Sequence, residues 1–148
     1  AGKKYDIKPG TPNNIERVES GLFSWGNDMD INSNPLELPL GNFCQLDKEA
    51  DYLSREALHK VRSEGVTKKL VGLIVDGDPF IGGCASPWQV MSDNKICGKV
   101  SSAAYSPRLK INMAMATIDN GHNEIDSEVT VETPWGLRSA KVTSIPFN

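Results

Sequence analysis

An arginine set between two glutamates, in the run Glu16-Arg17-Val18-Glu19, is the first place where this chain gathers charge with a purpose. Ile15, Val18 and Leu22 recur at helical spacing as an inward stripe, so Arg17 lies off that stripe. From there its planar guanidinium can take a carboxylate bidentately at an interface. It can equally belong to a solvated ion pair on a helix surface, worth under ~1 kcal/mol; spacing leaves both open. Asp28-x-Asp30-x-Asn32 begins like a calcium loop, but the sixth and twelfth positions hold Ser33 and Pro39 where glycine and glutamate are needed, so no metal is expected. Trp25 and Trp135 each offer a flat ring that can stack on a ring-shaped ligand or sit in a core or rim. There is no Gly-x-Ser-x-Gly, and His59 and His122 fall on a helix surface and in a turn region. Gly82-Gly83 lacks the Lys-Ser/Thr of a phosphate loop and reads as hairpin turn residues. No catalytic residue is assigned within these positions.

The elements that must position these groups fall into two parts. The first helix starts near Thr11 or Asn13. Pro12 suits the first helical position, and Asn13 with Glu16 makes a capping box. Gly21 and Gly26 weaken that helix, and Asn27 to Asn34 is an Asn/Asp-rich loop ending in Asn34-Pro35. A second helix is expected from Ser54 as N-cap, with Leu53 stapled onto Leu58, Val61 continuing the apolar face and Gly65 as the stop. After Lys68 the pattern changes to strands: Leu70–Val75, Lys95–Ala103 entered from Ser92-Asp93-Asn94, Leu109–Ile118, Glu128–Thr133, and Leu137–Ser144 across Pro134-Trp135-Gly136. The expected class is α+β and mainly β, with helices in residues 1–66 followed by a small antiparallel barrel or sandwich in residues 67–148.

Bulk properties narrow the function classes. The 148 residues carry 16 basic and 19 acidic side chains for a net charge of −3, without a basic run, which argues against nucleic acid as a partner. No apolar run reaches the roughly 20 residues of a membrane span, and Ala1 to Asp6 has no apolar leader core. The three cysteines (Cys44, Cys84, Cys97) form no Cys-x-x-Cys pair and read as reduced, small buried residues. The expectation is a cytoplasmic protein.

Taken together, these segments resemble the C-terminal part of the folate-dependent aminomethyltransferase family, the T-protein of the glycine cleavage system and its relatives. Arg17-Val18-Glu19-Ser20-Gly21 is similar to the family's R-L-E-A-G. Trp25-Gly26-Asn27-Asp28-Met29-Asp30 is similar to Y-G-N-D-x-D, and Asn34-Pro35-Leu36-Glu37 to T-P-x-E. Gly98-Lys99-Val100-Ser101-Ser102 with Ser106-Pro107-Arg108-Leu109-Lys110 resembles the barrel signature, followed by Met113-Ala114-Met115-Ala116 and the terminal Pro146-Phe147. Val71-Gly72-Leu73 resembles the first barrel strand.

The resemblance implies a larger enzyme whose catalytic aspartate and pterin-holding residues lie upstream. It also implies tetrahydrofolate as cofactor, a small-molecule substrate, and the N-terminal remainder of the enzyme as partner. Pro12-Asn13-Asn14 departs from the family's A-R-D, so Asn13 stands where an arginine contacts folate. This form looks more like the dimethylsulfoniopropionate demethylase branch, which moves a methyl group from a sulfonium to tetrahydrofolate. Asn13, Arg17 and Trp25 are then expected in the cofactor cleft wall, with Glu19 orienting Arg17, and the chain alone is expected to be inactive. The alternatives are a glycine-cleavage aminomethyltransferase served by a lipoyl carrier protein, or a non-catalytic folate-binding module of an amine dehydrogenase.

Overall fold

The computed structural model describes residues 2–6, 10 and 13–147. Two helices, α1 (Asn14–Glu19) and α2 (Arg55–Glu64), precede six strands: β1 (Lys68–Val75), β2 (Trp88–Ser92), β3 (Lys95–Ser106), β4 (Ile111–Asp119), β5 (Glu128–Thr133) and β6 (Gly136–Thr143). The strands close into an antiparallel barrel in the order β1-β4-β3-β2-β5-β6, with β6 pairing back onto β1. Helix before barrel, and mainly β, is the class the sequence called for.

The barrel interior is filled by side chains that alternate along each strand, as the two-residue repeat of a strand requires. Leu73 and Val75 of β1, Val90 of β2, Val100 of β3, Val131 of β5 and Val142 of β6 meet there. β4 explains its own loose sequence pattern. Its Ala114, Ala116 and Ile118 face the interior, while Met113 and Met115 face outward into a second cluster with Val18 of α1, Leu70 and Phe147. Both faces are buried, so polar alternation is absent. Gly72 lets the second cluster close, because a Cβ there would lie 3.0 Å from the Phe147 ring.

Turn chemistry places the hairpins. Asp93 and Asn94 both have positive φ (50° and 63°) between β2 and β3, the two-residue turn whose twist matches the strands. Thr133 pairs with Gly136 across Pro134-Trp135, and its hydroxyl accepts from the Trp135 amide while donating to the Gly136 carbonyl. Buried Asn112 organises the connection after β1: its amide donates to the carbonyls of Val75, Gly77 and Asp78, and its oxygen accepts from the Phe80 amide.

The structure departs from expectation in five places. The strand β2 was not anticipated: its five residues follow a Gly/Pro-rich connection, and only Trp88 and Val90 alternate inward. Gly82-Gly83 is not a hairpin turn, because β1 and β2 are not neighbours and the glycines lie in the connection between them. Leu22 is half exposed, since α1 ends at Glu19 and Gly21 turns the chain at φ 63° before another helical turn can form. Leu53 is fully exposed and forms no staple, and Ser54 makes no side-chain cap bond, although Gly65 does end α2. Thr11 and Pro12 lie outside the described residues.

Candidate functional site

The site is built where α1 and the loop after it meet the outer face of β3. Asn13 caps α1: its Oδ1 accepts from the Glu16 amide at 2.9 Å, and the Glu16 carboxylate accepts from the Asn13 amide at 3.4 Å. This reciprocal box stabilises a helix of only six residues, too short to persist by propagation alone. Val18, fully buried, pins the helix to the second apolar cluster.

Arg17 then points into a polar network rather than into solvent. Its Nη1 donates to Asp28 Oδ2 at 2.8 Å and to the Leu22 carbonyl at 2.9 Å. Its Nη2 donates to Ser102 Oγ at 2.7 Å and to Asn14 Oδ1 at 3.3 Å. The Asp28 carboxylate, with no exposed side-chain surface, also accepts from the Ser24 amide at 2.8 Å and from the Ser101 and Ser102 hydroxyls at 2.6 Å each. Asn27 donates to the Ser101 carbonyl and to Ser102 Oγ, both at 2.9 Å. Ser102 thus spends its one proton on Asp28 and accepts twice, which is the full capacity of a hydroxyl. A buried charge needs this degree of pairing, because leaving it unpaired costs several kcal/mol.

Glu19 does something else. Its carboxylate accepts from the Ser106 hydroxyl and from Arg108 Nε at 3.0 Å, so it ties α1 to the β3–β4 turn and does not orient Arg17. The six-residue helix turns Glu19 toward that turn, which leaves Asp28 to hold Arg17. The Ser106 hydroxyl, and then Arg108, hold the Glu19 carboxyl below its ordinary pKa against the opposing effect of burial.

Beside Arg17 lies a cleft of about 310 Å³ lined by Asn14, Arg17, Asn27, Gly83, Cys84 and Ser102 among others. The Asn14 amide donates to the Ala103 carbonyl at 3.2 Å, and a Cβ on Gly83 would approach that amide to 3.3 Å. Burial pushes the Cys84 thiol up to about 11, so it stays protonated near neutrality and is a poor nucleophile. Asn13 is exposed at the helix start. Trp25 is 66% exposed, held by its bridge to Met29, and stacks on no other ring among the described residues. Trp135, by contrast, stacks on Phe80 at 5.6 Å and carries Arg138 against it, at the barrel end. Asp28 draws its hydroxyl partners from far along the chain. Its helpful neighbours, Ser101 and Ser102, are 73 and 74 positions away.

Residues 68–148 match the model of the glycine cleavage T-protein C-terminal barrel domain. The chain belongs to that family. It is 37% identical over 142 residues to the dimethylsulfoniopropionate demethylase DmdA of Ruegeria pomeroyi, covering 96% of this chain and 38% of that protein. It is 34% identical over 137 residues to the aminomethyltransferase of Clostridium botulinum strain Okra, covering 89% of this chain and 35% of that one. The fold is similar to that of glycine cleavage system aminomethyltransferase T from Bartonella henselae, with a TM-score of 0.78 at 21% identity, over 91% of this chain and 37% of that one. The chain therefore spans little more than a third of the length of the curated relatives it matches. In this chain the Arg17–Asp28–Ser102 network joins the residues ahead of the barrel to the barrel itself. Among the described residues no helix is long and apolar enough to cross a membrane.

Proposed function

We propose that this chain is the C-terminal part of a cytoplasmic tetrahydrofolate-dependent methyltransferase of the sulfonium-demethylating kind, and that Asn13, Arg17 and Trp25 contribute one wall of its cofactor cleft. The observation that carries this reading is Asn13, a neutral residue at the cap of α1, in the place where the resemblance to the aminomethyltransferase A-R-D motif implies an arginine. The Asn13 side-chain Oδ1 is committed to the Glu16 amide and its backbone carbonyl to the Arg17 amide, so its side-chain NH2 is the group left to meet a ligand. The higher identity to the demethylase, over nearly the whole chain, supports the same choice.

Two exposed side chains support a partial folate wall. Trp25 leaves a ring face free for stacking, and Asn13 supplies a neutral donor. The four hydrogen bonds donated by Arg17 are all spent within the chain, so its part is to hold α1 and Asn13 in place. When bound, tetrahydrofolate would supply the nitrogen that accepts the methyl group. The chain's own residues orient it and exclude water, while the residues that complete the site belong to the N-terminal remainder.

The decisive experiment incubates the full-length protein carrying this sequence with tetrahydrofolate and either dimethylsulfoniopropionate or an aminomethyl-loaded lipoyl carrier protein. Methyltetrahydrofolate formed only with the sulfonium is the expected result, and turnover only with the lipoyl carrier would overturn the reading. In that protein Trp25→Ala is expected to raise the KM for tetrahydrofolate about tenfold, the scale of one lost aromatic stack. The 148-residue chain assayed alone is expected to transfer no methyl group.

A further inference from the structure

A second cleft, of about 390 Å³, lies between the loop that follows Gly26 and the outer face of the barrel. Its floor is set by strand register: Lys99 of β3 pairs with Thr117 of β4, which pairs in turn with Leu70 of β1. The loop closes over this floor, and the Leu70 amide donates to the Glu37 carbonyl at 2.8 Å. Lys68 and Lys99 line the cleft from the barrel, and Asp30 and Glu37 line it from the loop. Asp28 also lines it, but its charge is answered by Arg17.

None of the four remaining charges is in salt-bridge contact with another, although the Asp30 carboxyl, held below its ordinary value first by the Asn32 amide, also feels the Lys99 charge at longer range. Among the described residues, neither lysine ammonium lies within 4.0 Å of a carboxylate oxygen. Asp30 is fixed by its own loop, accepting from the Asn32 amide at 2.8 Å, and among the described residues the Glu37 carboxylate is in no salt bridge. Two cations on the barrel thus face two anions on the loop across an open slot. A simple anion entering it meets Glu37 and Asp30 as like charges, and a simple cation meets Lys68 and Lys99. Only a molecule carrying both charges has a partner at each wall.

We propose that this cleft binds a small zwitterion of the amino-acid type, with its carboxylate toward Lys99, Lys68 and the Thr117 hydroxyl and its ammonium toward Glu37. The cleft has room for a small zwitterion together with bridging water, and it is separate from the cleft beside Arg17. The assignment does not rest on the folate reading and can fail independently of it.

Isothermal titration of the 148-residue chain tests it with L-alanine and β-alanine as zwitterions, and with propionate and ethylamine as their single-charge halves. Both zwitterions are expected to bind, and each half about tenfold or more weaker, as for loss of one charge-assisted hydrogen bond. Lys99→Ala or Lys99→Gln is expected to cut zwitterion affinity about tenfold without moving the thermal midpoint, since the side chain is exposed. Glu37→Gln is expected to abolish the preference for L-alanine over propionate. Absence of binding by both zwitterions, equal binding of zwitterions and halves, or an unchanged affinity in the Lys99 variants would overturn the proposal.

Discussion

The two α-helices among the described residues are held in opposite ways. α1 is six residues long, yet it has a reciprocal capping box at its N-terminus, buries Val18 completely, and sends Arg17 to Ser102 and Glu19 to Ser106 as two separate anchor points on the barrel. α2 is longer, with ten residues, but it buries none of them fully and has no side-chain cap. Its ion pairs, Arg62 with Asp47 and Lys60 with Glu64, sit on the surface, where such pairs contribute little. Length and propensity do not decide which helix is fixed; the long-range partners do.

The sharpest way to break this contrast is Asp28→Ala. It leaves the Arg17 guanidinium and two serine hydroxyls without their acceptor, and is expected to lower stability by about 3 kcal/mol in urea denaturation. Val18→Ala comes next, at about 2 kcal/mol, because a fully buried side chain loses its contacts and leaves a cavity.

The Glu19 anchor is exposed by pH. Its carboxyl is held below the ordinary value of 4.5 in the fold, so the folded state binds that proton more weakly than the unfolded chain. The stabilisation is present above pH 4.5 and is lost as pH falls through the lower, folded value. A Glu19→Gln variant should lose this acid-side slope in a pH series of urea midpoints; an unchanged slope would show that the Ser106 and Arg108 contacts do not act on stability.

Cys84 adds an alkaline counterpart. With its thiol pushed from 9.0 to about 11, stability is expected to decline between those pH values, as the unfolded chain ionises first. Alkylation of Cys84 at neutral pH should be slower than that of an unfolded control. At the small end of the comparison, Leu53→Ala in the segment before α2 should change stability by no more than about 0.5 kcal/mol. A large loss there would mean that α2 is anchored after all.

Much of the barrel was legible in the residues. Glu128–Thr133 was bounded correctly as β5, and the Pro134-Trp135-Gly136 and Asp93-Asn94 turns fell where glycine and asparagine accept positive φ. Capping by Asn13 and Glu16 was legible for the same reason, since the bonded groups are three residues apart. The failures share a cause. Leu22 continues the apolar spacing of α1 beyond the point where the Gly21 turn ends it, and Leu53 sits at the right distance from Leu58 with nothing brought over to cover it. Periodicity describes what a helix would bury, not whether a surface arrives to bury it.

By itself, the sequence determined much of the local chemistry: most of the extended segments, the Asp93-Asn94 and Pro134-Trp135-Gly136 turns, how α1 begins, and which family motifs stand in order from Arg17 to Phe147. These follow from backbone sterics and from bonds between near neighbours. Tertiary structure alone decided that Arg17 answers Asp28, that Asp28 is satisfied by Ser101 and Ser102 from a strand far along the chain, and that Glu19 belongs to Ser106 and Arg108. Those pairings depend on desolvating charge at a place that exists only once the barrel has closed, because a carboxylate in water has no reason to prefer one distant hydroxyl over the solvent.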